Sequence, residues 1–259
     1  MSLNKPIYKL RDWIDLEKLD WSLLSSNPNA IELLKENWNK IDWYQLSSNP
    51  HPDAIKILEG NKDMIYWKYL SENPNAIELL SQNQDKIDWF YLSTNPNAMK
   101  ILEENRDKID FKGLSFNSNP EAIKILKENM DEINWYLLSS NPSAIEFLKD
   151  NEDDIIWSML SSNPNAIELL SENLDDIDWS QLSLNSNPEA IKLLEENLDK
   201  IDWDCLSSNP TAIKLLETNQ DKINFQSISE NPSIFELDYE AMKINNERNN
   251  ETIKGLQKS

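Results

Sequence analysis

Glycine is scarce, at three in 259 residues. Phosphate-cradling loops and frequent tight turns both rely on glycine, so an α/β nucleotide-binding architecture is disfavoured. Cysteine occurs once, at Cys205, which excludes an internal disulfide framework and fits a reducing compartment. Histidine also occurs once, at His51, so a catalytic or metal-ligating role for it lacks a second histidine or a nearby cysteine. Basic residues are outnumbered by acidic ones, 25 to 46, for a formal charge of −21. A surface this negative repels nucleic-acid backbones and anionic membranes, whereas a basic protein or peptide is attracted and steered in. No apolar run approaches the roughly 20 residues that span a bilayer, and Met1 to Trp13 has no apolar core of signal-peptide type. These absences lead us to expect a soluble, intracellular, cytoplasmic protein with neither cofactor nor metal; the sequon Asn250-Glu251-Thr252 is weak evidence to the contrary. Apolar residues make up 39% and tryptophan numbers ten, enough to build a core despite a mean hydropathy of −0.64.

Those tryptophans are periodic. One aromatic recurs at Trp21, Trp43, Trp67, Trp89, Phe111, Trp135, Trp157, Trp179, Trp203 and Phe225, in steps of 22 or 24 residues. Every third step is the longer one, so a 68-residue block of three units repeats. The two extra residues fall at homologous places: Asn49-Pro50-His51-Pro52, Asn117-Ser118-Asn119-Pro120 and Asn185-Ser186-Asn187-Pro188. Were the rotation per unit about 120°, these insertions would line up on one edge; the sequence does not set that angle.

Within a unit, Asn95-Pro96 reads as a helix start, because asparagine caps free amides and proline at the first position loses no hydrogen bond. Ala98, Met99, Ile101 and Leu102 then form an apolar stripe, and Asn105 suits a left-handed residue past the helix end. Upstream, Asp85 and Asp88 suggest a second capped start, for a short and partly 3₁₀ helix that carries Ile87, Trp89 and Leu92 inward. Nothing alternates with a strand period, so the expected fold is an all-α tandem-repeat solenoid of short two-helix units. Helices this short are unstable alone and must fold as a stack. We expect residues 1–20 to be an N-terminal cap, 21–232 the array of about ten units, and 233–259 a C-terminal capping helix or tail. Unlike end segments of this kind shield the last apolar faces of a solenoid.

The Asn-Pro start followed by Ala-Ile-x-Leu-Leu resembles the leucine-rich variant repeat, a tight solenoid of alternating α and 3₁₀ helices. Asn49-Pro50-His51-Pro52 with Ile57-Leu58 carries that likeness best. The string Ile41-Asp42-Trp43 with Leu46-Ser47-Ser48-Asn49-Pro50, recurring from about Lys18 to Pro232, resembles tandem-repeat proteins encoded by giant DNA viruses of amoebae. That likeness implies a viral origin and a host-cytoplasmic location, and carries no activity with it.

Chemistry-bearing residues fit structural roles. His51 stands in register with Asn119 and Asn187, a helix-cap position. Cys205 has Asp204 beside it, which disfavours a thiolate. The aspartates at 63, 85, 107, 131, 153, 175, 199 and 221 recur too regularly for one active site, and capping accounts for them. Opposite charges three apart on the longer helices read as a solvated face. The informative positions are the two after each aromatic, which vary inside a fixed template and turn aromatic from Tyr44 to Tyr136. Tyr44, Lys68, Tyr69, Phe90, Tyr91 and Tyr136 are therefore the candidate partner-binding residues, tyrosine being favoured in such contacts. The competing account is that the first residue of each pair leans on the next unit and follows local packing. The expected function is a non-enzymatic scaffold for protein–protein interaction with a basic partner. A structural, self-associating component of a viral particle is the alternative.

Overall fold

The computed structural model describes residues 6–245. The chain is an all-α repeat solenoid, and two three-residue strands are the only β structure among the described residues. A representative unit begins with the 3₁₀ turn Gln84–Lys86, passes through buried Ile87, and enters the helix Trp89–Thr94. Asn95 then turns the chain into a second helix, Met99–Glu104. Leu92, Ala98 and Leu102 are fully buried, and their counterparts in the other units form one continuous apolar core. Consecutive Trp-type helices pack directly against one another around the stack, while consecutive Ile-type helices such as Ile31–Glu36 and Pro52–Glu59 are held farther apart. The Trp-type helices therefore form the inner circle and the Ile-type helices the outer one.

Two local expectations are corrected. Asn105 is not left-handed: its φ is −135°, and no described residue has a positive φ. Its Nδ2 instead reaches back to the Ile101 carbonyl at 2.9 Å, satisfying an end-of-helix acceptor without a left-handed turn. Nor do the aspartates of the Asp85 series cap anything; they lie exposed inside 3₁₀ turns. Capping falls to the residue immediately before most inner helices, as in Asp20, Asp42, Asp88, Asp110, Asp178 and Asp202, because only that position reaches the first free amides. The recurring tryptophans are half-buried rather than fully enclosed, and in several units a lysine of the next unit covers the ring.

Three ladders of side-chain hydrogen bonds join the units. The asparagine that starts each outer segment is fully or almost fully buried and donates through Nδ2 to two carbonyls of the preceding unit. Asn95, for example, donates to Ser71 O and Asn73 O, each at 3.0 Å. The buried serine two residues before each such asparagine accepts a backbone N–H of the next unit through its hydroxyl, as Ser93 Oγ does from Asp110 N at 3.0 Å. An outer amide or hydroxyl, such as Asn97 Nδ2, donates to a carbonyl one unit back, here Pro74 O at 2.9 Å.

All three ladders continue from the last unit to the first. Asn27 Nδ2 donates to Ser229 O and Asn231 O, both at 3.1 Å; Asp20 N donates to Ser229 Oγ at 2.8 Å; Asn29 Nδ2 donates to Pro232 O at 2.9 Å. The solenoid is thus a closed ring of ten units. The end segments, expected to shield separate faces, pair with each other. Strand β1 (Tyr8–Leu10) runs antiparallel to β2 (Phe235–Leu237), and Arg11 clasps Ser233 O and Glu236 Oε2. Residues 246–259 of the expected C-terminal tail lie outside the described residues. Ten units per closed turn give about 36° per unit, so the three insertions stand about 108° apart and do not share an edge. What they add is a second cap: Asn49, Asn117 and Asn185 are followed by His51, Asn119 and Asn187, which start eight-residue outer helices.

Gly113 marks the closest approach of two inner helices, Trp89–Thr94 and Phe111–Phe116. A Cβ there would overlap the Phe90 carbonyl oxygen, a backbone atom that cannot rotate away. Gly113→Ala is therefore expected to destabilise the ring by about 1–3 kcal/mol despite alanine's better helix propensity. A denaturant midpoint equal to or above the parent's would show that the two helices can separate freely.

Candidate interaction surface

On the inner helices the two residues after the aromatic are at least partly exposed, Gly113 excepted, and the ring brings them side by side across unit boundaries. The template pairing is polar. Ser22 Oγ donates to Asp42 Oδ2 of the next unit at 2.6 Å, and Ser180 Oγ does the same to Asp202 Oδ2 at 2.7 Å. At the equivalent boundary between the second and third units, both partners are aromatic: Tyr44 replaces the serine and Tyr66 the capping aspartate. Tyr66 makes no side-chain cap bond, so its helix lacks the favourable interaction that an aspartate supplies at this position in sister units.

These two rings begin a continuous patch. Tyr44 packs edge-on to Tyr66 at 5.7 Å and against Tyr69 at 3.9 Å, the Tyr44 and Tyr69 hydroxyls being hydrogen-bonded; Tyr69 lies tilted against Tyr91 at 5.6 Å, and Phe90 meets Tyr91 edge-on at 5.2 Å. The Lys68 ammonium lies 5.0 Å from the Tyr91 centroid and 5.7 Å from that of Tyr69. Tyr44 and Tyr66 remain 38% and 50% exposed, while Tyr69, Phe90 and Tyr91 are half-buried. Tyr44 thus both leans on the next unit and stays at the surface. Of the six candidates, five are gathered here. Tyr136 is exposed but stands apart, beyond the Lys112-Gly113 unit, and is in none of the ring pairs among the described residues. Tyr66 was absent from the candidates; its signal was the break in the Ile-Asp-Trp template. Below the patch, Glu72, Thr94, Phe116 and Ser140 line a shallow cleft of about 360 Å³ that crosses four units. Burial pushes the Glu72 carboxyl above its ordinary range, against the opposing pull of Lys68.

The remaining special residues are structural. His51 Nδ1 accepts the Asp53 N–H at 3.0 Å, a cap that requires an unprotonated nitrogen. Cys205 Sγ lies 3.4 Å from Ser180 Oγ. Burial pushes its thiol up, with the Asp202 and Asp204 charges adding to the rise and the Ser180 hydrogen bond opposing it, so the thiolate is disfavoured. Among the described residues no three His, Cys, Asp or Glu side chains are placed to hold a metal ion, and no helix is long and apolar enough to cross a membrane. What the patch offers is aromatic faces, phenolic hydroxyls and one ammonium, the chemistry of a contact surface. No protein-family model, no curated protein and no solved structure matches the chain.

Proposed function

We propose that this ring is a non-enzymatic scaffold that binds another protein through the aromatic patch around Tyr44, Tyr66, Tyr69 and Tyr91. One observation carries the reading. At a boundary where sister units hold a stabilising Ser–Asp hydrogen bond and a helix cap, this chain presents two exposed aromatic rings instead. Such rings supply large contact area at low entropic cost, the property of interface anchors. A charge of −21 favours a basic partner and speeds its approach. End-to-end self-assembly has less support, because each end face is occupied by the other.

The test uses the template itself. Tyr44→Ser with Tyr66→Asp rebuilds the Ser22–Asp42 arrangement, so the variant should unfold within about 1 kcal/mol of the parent. Partner capture from expressing cells should nevertheless fall by about 2 kcal/mol or more in affinity. A partner retained equally by both proteins would remove the patch from recognition.

A further inference from the structure

The lysines that cover the inner aromatics occupy one position of the template, the last residue of each 3₁₀ turn. Lys40 lies 4.0 Å from the Trp21 centroid, Lys200 4.2 Å from Trp179, Lys108 4.7 Å from Trp89, Lys18 4.8 Å from Phe225 and Lys86 5.9 Å from Trp67. Each comes from the unit after its ring, the first-to-last pair included. This is the arrangement in which an ammonium is attracted by the negative face of an aromatic ring. In three consecutive units the same position is acidic: Glu132 follows Phe111, Asp154 follows Trp135, and Asp176 follows Trp157. Among the described residues no lysine or arginine lies over those three rings.

The consequence is a row of sites built like the others but with the cation removed and a carboxylate in its place. A ring face alone attracts a cation modestly; a ring face with a carboxylate beside it attracts one more strongly and repels anions. An open cleft of about 430 Å³ already exists at the first of the three, walled by Phe111, Ile109, Ile133 and Glu132. Lys112 also lines it but is outnumbered by Asp110, Asp131 and Glu132. The next two sites are flanked by further exposed carboxylates, Glu152, Asp153 and Asp175.

We infer that Phe111, Trp135 and Trp157, with Glu132, Asp154 and Asp176, form three adjacent slots for lysine or arginine side chains of a basic partner segment, which supplies the cations that five of the other seven units carry themselves. Adjacent helices stand about 8–10 Å apart, and an extended chain advances about 3.3 Å per residue, so a cation at about every third residue meets successive slots. The inference deepens the reading of the ring as a protein-binding scaffold, by giving its partner's chemistry at a surface next to the tyrosine patch.

The experiment uses the full chain and a short fluorescein-labelled oligolysine peptide, with an oligoglutamine peptide as control, read by fluorescence anisotropy at physiological ionic strength. Two triple variants change net charge equally. Glu132→Lys with Asp154→Lys and Asp176→Lys fills the slots as the sister units do. Glu36→Lys with Glu59→Lys and Glu78→Lys reverses exposed carboxylates on the outer helices of the first three units, away from the slots. Oligolysine should bind the parent and oligoglutamine should not. The slot variant should lose about tenfold or more in affinity, and the distant variant less than about threefold, because general attraction is screened beyond about 8 Å. Equal weakening by both triples would overturn the slots in favour of diffuse attraction, and so would a parent that does not prefer lysine to glutamine. Tyr44→Ser with Tyr66→Asp should leave oligolysine binding unchanged. Loss there would move the cation site to the tyrosine patch, whereas loss of a natural partner without loss of oligolysine would leave the slots standing.

Discussion

Asn117→Asp is expected to destabilise the protein by more than about 3 kcal/mol, although it exchanges side chains of nearly equal size and both are good helix caps. Asn117 is fully buried; its Oδ1 accepts the Asn119 N–H at 2.9 Å, and its Nδ2 donates to Ser93 O at 2.8 Å and Asn95 O at 3.0 Å. A carboxylate keeps the first bond, loses the other two, and places a negative charge against two carbonyl oxygens. The introduced carboxyl would have its pKa raised in the folded state, so the deficit should be full at neutral pH and shrink as pH falls, when the protonated group can donate once. Chemical denaturation at neutral and mildly acidic pH measures both. A loss below about 1 kcal/mol at neutral pH would mean that the ladder contributes little to holding units together.

Removal of the tenth unit is expected to turn a protein of fixed solution mass into one whose mass grows with concentration. A chain ending at Thr218 keeps nine units, and its first unit still presents Asn27 Nδ2, Asn29 Nδ2 and the Asp20 N–H. Its ninth unit presents Ser207 Oγ and O and Asn209 O, which in the full ring receive Asn224 N and Asn231 Nδ2 at 2.9–3.0 Å. Those two faces have the donor and acceptor sets that meet at the natural closure. Left unmatched within one chain, they meet between chains, head to tail, in an assembly that does not close within a single copy. Sedimentation across a concentration series decides the matter, with far-ultraviolet circular dichroism to confirm that the truncated chain is helical. A helical truncated chain that stays monomeric throughout would show that the matching ladders do not drive closure.

Much of this was legible in the sequence because it is local and periodic. The 22- and 24-residue steps, the Asn-Pro starts and the Ala-Ile-x-Leu-Leu stripe specify short capped helices, and the apolar residues they align are those found buried. His51 could be placed as a cap from register alone, and five of the six candidate binding residues do lie together. Asparagine, by contrast, reads the same whether it caps with its oxygen alone or also bridges to another unit with its nitrogen. A cap needs only the residues that follow it, whereas the bridge depends on carbonyls some 22–26 residues earlier, or, at Asn27, on two near the other end of the chain. The closed ring follows from the angle between units, which is set by how inner helices such as those meeting at Gly113 pack, and no single unit encodes it. Likewise the aromatic run was visible as composition, but that Tyr66 joins it, and that lysines cover some inner rings and not others, required neighbouring units to be brought into contact. Local hydrogen bonding and apolar spacing determined the unit; inter-unit packing, summed ten times, decided the ring and the surfaces it presents.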